Sequence, residues 1–131
     1  MREFVRRLQR GDDLKESILR IAKEENIRSG VVLCGVGCLK EARFRKAGAK
    51  SEFRNTGHYE IVALQGTIAD GHVHIHISLA DESCAAIGGH LLSGCIVDTT
   101  CELVLGILEE YEMHREFDEN TGFDELIARK I

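Results

Sequence analysis

Stretches of alternating apolar and polar residues run along most of the chain and predict a protein rich in β-strands. Glu3 to Gln9 alternates as a short opening strand, and Val31 to Cys34 is a continuous apolar run, typical of a strand buried on both faces. Residues 47–57 and 81–92 are polar or rich in small side chains and are expected to be loops. The same criteria predict further strands at residues 39–46, 58–68, 72–79, 96–97 and 101–108.

One clear helix is expected near the start of the chain. Asp13 is a good N-cap residue, and Glu16 three positions later completes a capping box. Apolar residues follow at helical spacing, and the helix is expected to end at about Asn26. A helical turn is also expected at residues 123–128, after Gly122. The sequence therefore predicts an α+β domain with a mostly antiparallel β-sheet flanked by helices.

Glycines mark two sharp features of the backbone. The Asp-Gly pair at residues 70–71 lies between two predicted strands and is a strong signal for a β-hairpin. The Gly-Val-Gly at residues 35–37 looks like the start of a dinucleotide-binding motif, but Lys40 occupies the place of the third glycine. This segment is therefore predicted to be a bend or bulge.

Composition indicates one intracellular domain. Of 131 residues, 44% are hydrophobic and 30% are charged, so residues 1–131 are expected to form a single domain with a well-solvated surface. No apolar run is long enough to span a membrane, and charges interrupt the first residues where a signal peptide would be apolar. Five cysteines without a Cys-x-x-Cys pair fit a reducing compartment, so a cytoplasmic location is expected.

The candidate chemistry lies in the strand predicted at residues 72–79. Strict alternation places His72, His74 and His76 on one face and apolar side chains on the other. Neighbouring histidines on that face are about 6.6 Å apart, and one ion can bridge such a pair through bonds of about 2.0–2.1 Å. All three histidines span roughly 13 Å, too far to share one ion. One adjacent pair is therefore expected to bind a metal ion together with a ligand from elsewhere.

His90 is the expected third ligand, because the two glycines before it allow its backbone to approach closely. Three histidines with an open position are typical of catalytic zinc sites. Glu60, on the strand expected to pair with the histidine strand, and Asp81 are candidate hydrogen-bond acceptors for the outer ring nitrogens. The simpler interpretation of the alternating histidines is a solvated face of the sheet. We interpret His58 and His114 as ordinary surface residues.

Several segments match one known pattern when they are taken together. They are residues 74–81 (HIHISLAD), 88–91 (GGHL), 35–39, 59–68, 100–105 and 121–123. This combination resembles the plants-and-prokaryotes-conserved (PPC) domain, in its stand-alone prokaryotic form, over nearly the whole chain. The resemblance implies an antiparallel sheet flanked by helices, a homotrimer, and zinc bound at His74, His76 and His90. His72 lies outside the matched pattern and is expected to be dispensable.

Two functions follow from the metal site, one without enzymatic activity and one with it. The first is a zinc-binding oligomeric module, with zinc or another divalent metal, that acts in regulation through protein partners or a small ligand at the metal. Its support is that no nucleophile with a matching base is recognisable. The alternative is a small zinc-dependent metalloenzyme, in which the three histidines and a carboxylate, Glu60 or Glu102, activate water.

Direct binding to DNA is a third function and is not favoured. Stand-alone relatives are often named as DNA-binding proteins, and plant relatives carry AT-hook motifs beside the domain. This chain contains no proline and therefore no such hook, and its net charge of −5 opposes binding to phosphates. A candidate basic patch comprises Arg43, Arg45 and Lys46, but charge runs of this kind are usually solvated surface.

Overall fold

The chain forms eight β-strands and one helix, and the computed structural model describes all residues from Met1 to Ile131. The strands are β1 (Arg2–Gln9), β2 (Ser29–Arg45), β3 (Glu52–Ala69), β4 (His72–Ala80), β5 (Ala86–Leu91), β6 (Ile96–Ile107), β7 (Tyr111–Asp118) and β8 (Phe123–Lys130), and the helix is α1 (Leu14–Glu24). Strands β1 to β6 form one antiparallel sheet in the order β1-β6-β2-β3-β4-β5. Strands β7 and β8 form a separate antiparallel hairpin.

The fold is mostly β, so the prediction of an α+β domain with helices flanking the sheet is wrong. Helix α1 has 11 residues and is the only helix, and it is too short to cross a membrane. The helical turn predicted at residues 123–128 is instead part of β8, which pairs with β7 along its full length. An isolated helical turn is marginal in water, whereas the hairpin satisfies the same backbone groups through cross-strand hydrogen bonds.

Helix α1 begins where the sequence predicts. The Asp13 carboxylate accepts a hydrogen bond from the backbone N–H of Glu16 at 3.0 Å, and one from that of Gly94 at 2.7 Å. The Glu16 side chain does not close the capping box but accepts the hydroxyl of Ser93. The start of the helix is thereby tied to the turn before β6. Its apolar face is fully buried against the sheet, through Leu14, Ile18 and Ile21.

Strands β2, β3 and β6 are longer than the pattern of residues predicts, and β5 is a strand that the pattern does not predict. The predicted strands at 31–34 and 39–46 are one strand, β2, whose register with β6 shifts at Gly37. The loops predicted at 47–57 and 81–92 are shorter than expected, since β3 and β5 occupy parts of them. The Asp-Gly hairpin is confirmed, and both of its turn residues have positive φ, as a type I′ turn requires.

Strand β5 determines where the candidate site lies. It pairs with β4 along its length, and its last two residues also pair with Phe44 and Arg45 at the end of β2. Because β2 also pairs with β3, strands β2 to β5 close on themselves at this end of the sheet. Ile75, Ile77 and Leu79 are buried inside this closed end. The alternate side chains of β4, which include the histidines, therefore face outward.

Candidate metal centre

Three histidines converge on the outer face of β4 and β5. His76 lies directly opposite His90 in the register of these two strands, and His74 is two residues from His76 on the same face. The candidate ligand nitrogens of the three rings all lie within 4.8 Å of one another. The Nε2 atoms of His74 and His76 are 3.2 Å apart. Sheet register alone therefore brings together three imidazoles that one ion can bridge.

Two glycines allow β5 to approach its neighbours this closely. A methyl group on Gly88 would overlap the carbonyl oxygen of Ile77 in β4. A methyl group on Gly89 would overlap the carbonyl oxygen of Arg45 in β2. Residues without side chains are thus required immediately before His90, because its strand is packed between two others.

The environment favours the neutral form of His74 and His90, which is the form that binds metal ions. Burial lowers the pKa of His90 to about 4, and the positive charge of Arg45 acts in the same direction. Burial, followed by His76 and Arg115, also lowers the pKa of His74. The Nδ1 atom of His90 is buried and has no hydrogen-bond partner. A neutral, unpaired ring nitrogen beside two other imidazoles is a donor set that fits a transition metal ion.

The metal-free protein should lose stability as the pH falls from about 6.5 towards 4. An unfolded histidine binds its proton near pH 6.5, but folded His90 binds one only near pH 4. Between these values the unfolded state binds more protons, so acid favours unfolding. Thermal unfolding with a chelator present should show this slope, and it should be shallower in His90→Gln than in the parent and in His58→Gln. An unchanged slope in His90→Gln would contradict a lowered pKa of His90 in the folded protein.

The two carboxylates proposed as acceptors for the histidines lie elsewhere. Glu60 is opposite Ala80, near the other end of β4 from His74. The Asp81 carboxylate accepts hydrogen bonds from Ser83 and from the backbone N–H of Ala85, which lower its pKa, with the Ser83 side chain as the largest cause. It therefore stabilises its own loop. Neither carboxylate is hydrogen-bonded to a histidine ring.

The three residues of the candidate basic patch lie in different environments. Arg43 forms an ion pair with Glu52 at 3.0 Å. Lys46 is exposed at the end of β2. Arg45 lies beside the histidines, with its guanidinium carbon 5.8 Å from the centre of the Phe123 ring. The structure therefore places only one of the three at the candidate site.

A cleft of about 300 Å³ opens over the histidines, and about half of the residues that line it were not predicted from the sequence. The sheet contributes Arg45, His72, His74 and His90, and the β7–β8 hairpin contributes Arg115, Phe123, Asp124 and Glu125. The hairpin is fastened to the sheet where the backbone N–H of Met113 donates to the Ser29 hydroxyl at 3.0 Å. The alternation in residues 111–118 was the only signal for β7, and it does not reveal where the hairpin docks.

Comparison with known proteins places most of the chain in one family. Residues 1–109 match the model of the Plants and Prokaryotes Conserved (PCC) domain. The chain is 37% identical over its 131 residues to the bifunctional protein GlmU of Synechococcus sp. (strain JA-3-3Ab), and it spans only 21% of that protein's length. The likeness to GlmU is therefore a likeness to one part of a larger protein.

Solved structures share the fold along almost the full chain. A hypothetical protein from Salmonella enterica is 29% identical with a TM-score of 0.94, over 98% of this chain and 94% of that one. A metal-containing protein from Archaeoglobus fulgidus is 25% identical with a TM-score of 0.79, over 97% and 94% of the two chains. A protein from Ralstonia eutropha that is provisionally named as a DNA-binding protein is 26% identical with a TM-score of 0.79, over 93% of this chain and 88% of that one.

Proposed function

The chain belongs to the family of Plants and Prokaryotes Conserved (PCC) domains, and from this premise we propose that it binds one divalent metal ion at His74, His76 and His90. The observation that carries the proposal is the convergence of three imidazoles with ligand nitrogens within 4.8 Å of one another. Zinc is the metal we propose first, and copper, nickel and iron also suit imidazole ligands. The name of the Archaeoglobus fulgidus relative as a metal-containing protein supports the proposal.

In this proposal the chain is an oligomeric module that acts in regulation, and it contacts protein partners or a small ligand at the metal ion. When bound, the ion supplies a Lewis acid with an open coordination position. The three histidines hold it at the surface of the sheet, where a partner or ligand can reach it. Metal analysis of protein purified without chelators or an affinity tag tests this proposal. We expect about one ion per chain, as for other three-histidine sites, and a chain that stays metal-free after zinc is supplied would refute it.

A metalloenzyme is the second candidate, and the cleft over the histidines favours it. Enzyme sites are usually concave, and this cleft adjoins two of the three histidines. Glu102 is opposite Val36 near the middle of the sheet, so the carboxylates available to the cleft are those of Asp124, which is exposed, and Glu125, which is half-buried. Zinc-dependent hydrolysis of activated esters that is lost in both His90→Ala and Glu125→Gln would establish this function. Activity that survives in both variants would exclude this site as its source.

We propose that the protein is a homotrimer, as the resemblance to the family implies. Four large apolar side chains on β1, β2 and β3 are exposed to solvent, Val5 at 69%, Leu33 at 43%, Val36 at 54% and Val62 at 58%. An apolar sheet face of this kind is typical of a subunit interface. Light scattering should therefore give about three times the chain mass of 14.6 kDa. Val36→Glu with Val62→Glu should give the monomer mass, and a parent protein that is monomeric at micromolar concentration would rule the trimer out.

Weak or no binding to duplex DNA is expected at physiological salt. The chain carries a net charge of −5, and Arg43 of the candidate basic patch is neutralised by Glu52. DNA affinity is worth measuring because the Ralstonia eutropha relative is provisionally named as a DNA-binding protein. Fluorescence polarisation with a labelled duplex, over a series of salt concentrations, provides it. A nanomolar complex that weakens steeply with salt would reverse this expectation.

A further inference from the structure

Two arginines face the cleft over the histidines without a carboxylate partner. Arg45 and Arg115 are both half-buried, and neither has a carboxylate oxygen within 4.0 Å. Arg28 and Arg43, by contrast, are each paired with a carboxylate. A half-buried guanidinium that is not in contact with a carboxylate has unused hydrogen-bond donors. The cleft therefore presents two such groups to whatever enters it.

Each of these arginines is held beside one histidine of the cluster. Arg45 lies opposite His90 in the pairing of β2 with β5, and its guanidinium lies over the ring of Phe123. Arg115 donates a hydrogen bond to the Thr67 hydroxyl at 3.1 Å. Thr67 in turn lies opposite His74 in the pairing of β3 with β4. The two guanidinium groups are thus positioned by the sheet on which the histidines lie.

The charge in the cleft depends on the metal ion. Asp124 and Glu125 also line the cleft, so its two arginines and two carboxylates cancel formally. A divalent cation on the histidines makes the cleft net positive. Because Arg45 and Arg115 line the same cleft as the rings that would hold the cation, an anion placed between the cation and the arginines would relieve their repulsion.

We propose that the metal-loaded cleft binds a small oxyanion, a carboxylate or a phosphate, between the metal ion and Arg45 and Arg115. One oxygen of the anion would bind the metal ion, and others would accept hydrogen bonds from the guanidinium groups, whose paired donors match such anions. The inference rests on the proposed metal site. A cleft of about 300 Å³ suits a molecule of the size of phosphate or a short carboxylic acid, whose carbon chain would contact Phe123.

This anion site depends on the hairpin as well as on the domain that the family shares. Arg115 and Phe123 lie in β7 and β8, beyond the residues 1–109 that match the family model. Arg45 and the histidines lie within the matched residues. The metal site thus comes from the shared domain, while the second arginine comes from the part of this chain outside the match.

The proposal can be tested with the cobalt-loaded protein, because an anion that binds Co²⁺ changes its visible absorption spectrum. Acetate and inorganic phosphate are titrated separately, and the anion that binds more tightly identifies the ligand class. We expect a saturable spectral change that also occurs in Arg54→Gln, a variant of an exposed arginine in β3. Arg45→Gln and Arg115→Gln should retain cobalt and bind the anion at least about tenfold more weakly, because each removes a charged hydrogen-bond donor.

Three results would overturn the proposal. A spectrum that neither anion changes would refute the anion site while the bound cobalt leaves the metal site intact. An equal loss of anion affinity in Arg54→Gln would show general electrostatic attraction instead of a site. Failure of the parent protein to bind cobalt would refute the metal site itself, and the anion site with it.

Because Arg115 also fastens the hairpin, Arg115→Lys provides a variant that keeps the charge. Its affinity for the anion should lie between those of the parent and Arg115→Gln.

Discussion

Replacing His90 by alanine should lower the zinc affinity of the protein by at least about a hundredfold, since even the loss of an indirect ligand contact costs about ten- to a hundredfold. His90 is the only one of the three histidines that lies on β5, and its nitrogens complete the cluster with His74 and His76. Alanine at either of the other two positions should have a similar effect. Competition with a chromophoric chelator measures the affinity directly.

Two other histidines provide matched controls for this result. His58 is exposed on β3, and its nearest carboxylate is that of Glu82. His72 lines the cleft, but its Nδ1 atom lies 3.2 Å from the carbonyl oxygen of Asp70 at the hairpin turn. Alanine at either position should leave zinc affinity close to that of the parent. Zinc affinity that is unchanged in His90→Ala would show that the site is wrongly drawn.

Replacing Gly88 by alanine should destabilise the protein by about 2–3 kcal/mol, as expected for a group inserted into a packed space. The added methyl group would overlap the carbonyl oxygen of Ile77, which is backbone and cannot rotate away. Strand β5 must then move away from β4, and His90 moves with it. We expect a lower denaturation midpoint in urea and weaker zinc binding in the same variant.

Gly57 provides the matched control for this substitution. A methyl group on Gly57 would meet its nearest neighbours, the end of the Asn55 side chain and the edge of the Tyr59 ring, at 3.4 Å, and neither is backbone. Gly57→Ala should therefore have a denaturation midpoint close to that of the parent, because the contact is ordinary and the residue is in a strand. A Gly88→Ala variant as stable as Gly57→Ala would mean that β5 does not pack as closely on β4 as the structure has it.

Much of the histidine cluster could be predicted because it depends on short-range alternation. Alternation along one strand places His74 and His76 on the same face, whatever the rest of the fold does. The pairing of His90 with His76 depends on β5, which has only six residues, two of them glycines. A short strand of weak β-propensity forms because two neighbours pair with it, and no local pattern reports those neighbours.

The hairpin shows most clearly where sequence reasoning fails. Residues 123–128 contain good helix formers, but the register with β7 decides their conformation. The contact of Arg115 with Thr67 joins residues 48 positions apart. The cleft is made by contacts of this kind, so Arg115 and Glu125 could not be assigned to the site from the sequence.

X-ray absorption spectroscopy of the zinc-loaded protein is the most direct test of the proposed zinc site, because it reports which atoms surround the metal ion. We expect three nitrogen ligands at about 2.0–2.1 Å, with the scattering pattern of imidazole rings, and a further light atom at the open position. These ligand signals should disappear in His90→Ala measured at the same zinc concentration. A shell with sulfur at about 2.3 Å would indicate cysteine ligands, and a shell without imidazole scattering would exclude histidines. Either result would contradict a zinc site at His74, His76 and His90.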